Sequence, residues 1–356
     1  MRALPMAGKQ VSESRQRDWP WPVLRALCLA AVACVIALCF MNPGLGSRIF
    51  WGGLMAYLPL LLLIAPGVWR NACPMATMNG LAGRLGWAGT RRLSAAAQRR
   101  TPYIAVGLFF ALTPLRAAGL DQDGHLLAVF LLLLLATAAV GGVAIAGKGG
   151  WCSQICPMLP VERLYGLSPL VVVQDTHCRP CVGCARNCYD LQPTASGLAD
   201  LRNKSNPGSR ARLLFAAAMP WFCLAFFTQP HPHHLTVVGL LAVYGRLGLI
   251  TASGATLGVV IDALGPWSRY QVVVVHAAVV INTYYLFVVQ SPVAVPAIPG
   301  FWTGLAAYMI PVIVSLVWLQ RALVLEQLSV SRGASGRSRK PHGGPSLVAS
   351  ATTLAS

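Results

Sequence analysis

The chain has 356 residues, of which 56% are apolar and 11% charged, against about 45–50% and about 25% in an ordinary globular domain. That balance excludes a soluble enzyme of ordinary composition and points to a polytopic membrane protein. The net charge of +18, from 28 Lys and Arg against 10 Asp and Glu, follows topology. Basic residues cluster in particular loops and in both tails, as cytoplasmic retention of Lys and Arg produces, and no recognition-helix or RNA-binding signature accompanies them, so nucleic acid is not an expected partner.

In chain order, hydropathy marks eight spans of about the length that a helix needs to cross a bilayer: 22–40, 50–68, 103–119, 125–147, 211–228, 235–264, 271–290 and 301–319. The residues before Trp19 are too polar for a cleaved secretory signal, so the first span reads as an anchor. The sixth is long, carries Arg246 and holds Gly245, Gly248 and Gly254, which predicts a kinked helix or an interfacial piece followed by a shorter span.

A cytoplasmic N-terminus puts Arg70, Arg84, Arg91, Arg99, Lys148, Arg163, Arg179, Arg186 and the basic tail inside. The expected fold is an all-α polytopic membrane protein of about eight transmembrane helices with a small cytoplasmic ferredoxin-like iron-sulfur segment. Its divisions are a cytoplasmic tail (1–20), a four-helix membrane core (21–147), a cytoplasmic cysteine-bearing segment (148–210), a second membrane half of about four helices (211–325) and a disordered basic tail (326–356), the Ser, Gly, Arg and Pro content rising from about Ser329. The expected location is a bacterial inner membrane, with both termini and the cysteine segment in the cytoplasm.

Of the 11 cysteines, Cys28, Cys34, Cys39 and Cys223 lie inside apolar spans, where a free cysteine behaves as a small hydrophobe. The other seven fall in segments assigned to the cytoplasmic face, where metal or redox chemistry is a better expectation than disulfides. Cys178, Cys181, Cys184 and Cys188 form a C-x2-C-x2-C-x3-C run. Such spacing wraps a tight loop of thiolates around an iron-sulfur cubane, and Gly183 permits close backbone approach. Zinc is the competing occupant, although it favours paired C-x2-C knuckles set well apart. Tyr189, not proline, follows Cys188, which leaves the fourth ligand open between Cys188 and a remote Cys-Pro. Seven thiolates cannot fill two all-cysteine clusters, so one [4Fe-4S] cluster is expected.

Two further elements follow the second and fourth spans. Trp151-Cys152-Ser-Gln-Ile-Cys156-Pro157-Met158 is matched by Trp69-Arg70-Asn71-Ala72-Cys73-Pro74-Met75, which is one residue shorter and lacks the first cysteine. The order of Trp, Cys and Pro reads as an internal repeat of two spans and a Cys-Pro element; interfacial tryptophans with incidental cysteines are the alternative.

The W-C-x3-C-P element after paired helices, followed by a C-x2-C-x2-C-x3-C run, resembles the membrane-bound 4Fe-4S ferredoxin family of the NapH, NosR and FixG (CcoG) type, over roughly Trp51 to Asp190. The resemblance implies four core helices, cytoplasmic iron-sulfur centres and electron transfer at the membrane, in several members with the quinone pool. It matches Cys178, Cys181, Cys184 and Cys188 to the cluster ligands and Cys152 and Cys156 to an auxiliary redox or ligand pair. Cys73 matches the second cysteine of the earlier element, with Arg70 near the place of the first. The family's second ferredoxin run is absent here, and four extra helices follow the cluster segment.

A cytoplasmic cluster cannot pass electrons directly across roughly 30 Å of hydrocarbon, so a quinone, a haem or a second metal centre is needed for delivery outward. His231, His233 and His234, with His125, lie on the expected outer side and are candidate metal ligands. His276 lies within the seventh span, where an ionisable group is a functional candidate, here for quinone contact. It has no second histidine at matching depth, which argues against haem. Arg179 and Arg186 either raise the cluster potential or dock an acidic soluble donor such as a ferredoxin or flavodoxin.

These features read as an integral membrane iron-sulfur electron-transfer protein, between a cytoplasmic or quinone donor and a membrane or periplasmic oxidoreductase. It is more an electron carrier or oxidoreductase subunit than a stand-alone enzyme, since no dinucleotide fingerprint, phosphate loop or nucleophile elbow is present. The alternatives are an assembly factor that reduces copper or thiols for metalloenzyme maturation, and a transporter with a redox-sensing cysteine loop, for which Arg246 and Asp262 are the relevant charges.

Overall fold

The computed structural model describes residues 20–87, 89, 91, 93–145, 150–173, 193–229, 236–289 and 301–338. Among them the chain is helical. Eight helices are long and apolar enough to cross a bilayer: α1 (Pro20–Met41), α2 (Pro43–Ile64), α5 (Ala95–Leu120), α6 (Gly124–Ala144), α9 (Pro207–Thr228), α10 (Val237–Leu264), α11 (Arg269–Val288) and the Tyr308–Ser329 stretch of α12 (Phe301–Ser338). This is the architecture of a multi-pass membrane protein. Four short helices join them at one end: α3 (Pro66–Ala72), α4 (Pro74–Arg84), α7 (Leu159–Tyr165) and α8 (Pro193–Arg202). Large apolar side chains such as Leu133, Val140, Leu241 and Leu249 face outward, the pattern of a surface solvated by acyl chains.

Successive crossings alternate direction, so the α2–α5, α6–α9 and α10–α11 connections share one end, here the cysteine end. The α1–α2, α5–α6 and α9–α10 connections lie at the other. Helix α9 packs against α5, α10 and α11, and α2 touches both α11 and α12. The second membrane half is therefore joined to the first through a shared apolar core that includes Leu62, Phe215, Phe222, Val273 and Trp318.

Prolines inside the spans explain several of these joints. Pro59 in α2 has no N–H for the carbonyl of Met55. The Tyr284 hydroxyl donates to that carbonyl at 2.8 Å. One residue on, the Tyr285 hydroxyl donates to the Ala56 carbonyl at 3.0 Å and accepts from the Leu60 N–H at 3.2 Å, bridging the rung that the kink opens. A π-helical stretch, Ile49–Met55, precedes this site. In hydrocarbon no water replaces such partners, so neighbouring helices must supply them.

The structure departs from the sequence expectations at three places. The sixth span is a single 28-residue helix, α10, without a break. Gly245 and Gly248 face open space, whereas Gly254 is a contact point: a Cβ there would lie 2.0 Å from the Trp221 ring of α9, the close approach that small residues permit between membrane helices. The second span ends at Ile64, because Ala65 precedes Pro66 and takes a non-helical conformation (φ −143°, ψ 68°) that closes the helix. Third, the tail expected to be disordered from Ser329 begins as helix, since α12 continues to Ser338. Ser329 is held there by its bond to the Glu326 carbonyl and by Arg202 of α8.

Candidate functional site

The two Cys-Pro elements fold alike. In each, proline opens the next helix or turn and the cysteine before it turns the chain; Cys73 is extended at φ −54°, ψ 124°, and Pro74 begins α4, where its missing N–H costs nothing. In each, the cysteine amide donates to the carbonyl of the element's tryptophan, Cys73 to Trp69 at 2.7 Å and Cys156 to Trp151 at 3.1 Å. The extra residue of the second element widens its turn and leaves that bond intact. Trp69, Cys73, Trp151 and Cys156 are all buried, and Cys152 is half-buried.

The position where the first element lacks a cysteine is filled by Arg70. Its guanidinium pairs with the carboxylate of Glu162 on α7, and both side chains are largely buried. Next to it, Arg25 of α1 donates to the Asn71 carbonyl at 2.9 Å. The pair thus clamps one Cys-Pro element to the helix that follows the other.

Burial pushes the Cys156 thiol up to about 12, and the neighbouring Cys73 adds to the effect. A neutral, buried thiol is a poor nucleophile. Native protein is expected to leave Cys156 unmodified by iodoacetamide at pH 8, with full modification after unfolding, as peptide mass spectrometry would read. The thiol favours the fold while it stays protonated. That contribution is complete below about pH 9, the ordinary value, and is lost as pH rises towards about 12.

The chain after α7 returns to the first element. The Val171 amide donates to the Ile64 carbonyl at 2.8 Å, and Val173 lies against Gly67, where a Cβ would come within 2.3 Å of the Val173 carbonyl oxygen. Only glycine allows that approach. The segment carrying Cys178, Cys181, Cys184 and Cys188, with Arg179 and Arg186, lies outside the described residues, as do His231, His233 and His234. Its two flanks do not: it is entered beside Gly67 and left at α8, which packs on α11 and is tied to α9 by Asp200 and Arg212, 3.5 Å apart. Among the described residues no group of three or more His, Cys, Asp or Glu side chains is placed to hold a metal ion, so Cys73, Cys152 and Cys156 do not form one between them.

Between the spans lies a cavity of about 250 Å3. At the cysteine end its wall includes Pro74, Met75, Pro157 and Met158, the residues that directly follow Cys73 and Cys156. Towards the opposite end it is lined by Trp51, Thr113, Arg116 and Tyr284. The Arg116 guanidinium lies over the Trp51 ring, 4.7 Å from its centroid, and 5.8 Å from that of Phe226. Phe109, Phe110, Phe215, Phe222, Phe226 and Phe227 form a run of ring contacts along the same space.

His276 does not line this cavity; its Nδ1 is 2.8 Å from the Val272 carbonyl oxygen, one turn back on α11. His125 is exposed beside Asp123, 3.6 Å away. Asp262, one of the charges relevant to transport, is engaged by a two-pronged bond from Arg269 at 2.6 and 3.2 Å, and Arg246 faces outward. The polar group that the sequence reading passed over is Arg116. Its signal was present, an ionisable side chain inside the third span. No family model matches this chain, and no curated protein or solved structure matches it.

Proposed function

We propose that the chain is an integral membrane iron-sulfur electron-transfer protein, passing electrons between a cytoplasmic or quinone donor and a membrane or periplasmic redox partner. The observation that supports this reading is the gathering of cysteine-bearing segments at one end of the bundle. Both Cys-Pro elements lie there, each held by a cysteine-to-tryptophan backbone bond, and both flanks of the four-cysteine segment lie there too.

Cys178, Cys181, Cys184 and Cys188 are the residues that would hold a [4Fe-4S] cluster, and four thiols within eleven residues suit it in donor type and spacing. When bound, such a cluster supplies a one-electron relay. The described residues hold both flanks of that segment. Gly67 and Val173 fix the chain before it, the Asp200–Arg212 contact anchors the chain after it, and the Arg70–Glu162 pair locks one Cys-Pro element to the helix that follows the other. Arg179 and Arg186 place positive charge within the run, which favours the more reduced cluster and an acidic donor. In a bacterial inner membrane the positive-inside bias puts this end in the cytoplasm.

Protein purified anaerobically in detergent is expected to carry about four irons and four sulfides per chain and to give a cubane EPR signal on dithionite reduction. Cys181→Ser is expected to lose both iron and signal while keeping the helical far-UV spectrum. Zinc without sulfide, and no paramagnetic state, would overturn the proposal.

A further inference from the structure

We infer that the cavity between the spans is a binding site for a lipid-soluble quinone-class molecule, a planar ring with carbonyl oxygens, whose head group is received by Arg116. The inference rests on the electron-transfer reading for its purpose, since it names the class of membrane donor or acceptor; the binding itself is argued from the cavity.

Arg116 sits inside a span, where an ionisable side chain is costly and marks a functional position. It is held by the faces of Trp51 and Phe226, with the charge of Asp121 nearby. Ring stacking satisfies the charge in part but leaves the in-plane N–H donors of the guanidinium directed elsewhere. An accepting oxygen in the cavity would complete them. The two hydroxyls beside it are already committed as donors. The Tyr284 hydroxyl donates to Met55 and the Thr113 hydroxyl to the Phe109 carbonyl at 2.7 Å. Both keep lone pairs that can accept from a hydroquinone hydroxyl.

The rest of the lining fits a flat ring on an apolar tail. Aromatic faces of Trp51, Phe109, Phe222 and Tyr284 offer stacking surfaces, and the remainder is Leu, Val, Ile, Met and Pro in the main. Leu54, exposed on the outer surface, is part of the same lining, so the cavity communicates with the bilayer. A fatty-acid carboxylate shares the accepting-oxygen chemistry. Asp121, an electrostatic neighbour of Arg116, disfavours a second anion and favours a neutral carbonyl. At its far end the cavity touches both Cys-Pro elements, so the ligand would lie between Arg116 and the cysteine end.

The test is titration of the full-length protein in detergent micelles with decylubiquinone, by calorimetry. One saturable site per chain is expected. Arg116→Gln should weaken it by about 10- to 100-fold, the loss of a hydrogen bond from a charged donor, and Leu131→Trp, which fills the cavity, should abolish it. Cys181→Ser should bind as the unaltered protein does, so failure of the cluster and failure of this site are read separately. A photoreactive azidoquinone needs no variant to fold: label is expected within residues 109–135 and 280–284. Binding indifferent to Arg116→Gln, or label confined to other segments, would overturn the inference. Palmitate binding more tightly than the quinone at the same arginine would overturn the assignment of a ring.

Discussion

Glu162→Gln is expected to lower the stability of the folded protein by about 3–5 kcal/mol, the cost of leaving one member of a buried ion pair without its counter-charge. Arg70 has a side-chain exposure of 6% and Glu162 of 15%, so water compensates little. Glu162 also lies in the first turn of α7, where a carboxylate is favoured by the helix dipole. The double replacement Arg70→Met with Glu162→Leu is expected to recover most of the loss, because two apolar side chains of similar volume avoid the desolvation of both charges. Thermal unfolding of purified protein in one detergent distinguishes the two outcomes. A loss under about 1 kcal/mol for Glu162→Gln would mean that the pair contributes no more than a surface bridge.

Tyr285→Phe should be the next most damaging change of a single atom. Its hydroxyl serves two backbone groups, the Ala56 carbonyl and the Leu60 amide. Each group left without a partner costs about 1–3 kcal/mol. Tyr284→Phe abandons only the Met55 carbonyl and is expected to cost about half as much. If instead both variants unfold at the temperature of the unaltered protein, the kink at Pro59 is satisfied from within α2. Replacing Pro59 by Leu is then the informative control, since it restores the missing N–H and should make both tyrosine hydroxyls dispensable.

Hydropathy found all eight spans because crossing a bilayer is a sum over neighbouring residues, and such sums are local. What it missed was decided in most cases by partners distant in the chain. Gly254 looks like a break until Trp221 is seen against it. Ala65 ends α2 because of Pro66, a signal that an apolar average passes over. The repeat was legible as Trp, Cys and Pro in order, but its backbone bond was not, since the two elements differ by one residue. Arg70 was noticed as an inside positive charge and as the place of a missing cysteine, but not as half of an ion pair; its partner lies 92 residues away. The proposed role of Cys178, Cys181, Cys184 and Cys188 is the reverse case, since it rests on spacing alone. The cavity was illegible because its walls come from α1, α2, α5, α6, α9 and α11 together. Arg116 was the one residue within it that stood out from its span.

The bridge between α2 and α11 also bears on how the chain is made. Ala56 and Tyr285 are 229 positions apart, so a ribosome completes α2 and delivers it to the membrane long before its partner is synthesised. In that interval the open rung at Pro59 has no resident donor, and α2 must either remain close to the insertion machinery or draw water into the bilayer beside it. Chains arrested before residue 285 should therefore be held at the translocation site and degraded, and release into the lipid becomes a late event of synthesis.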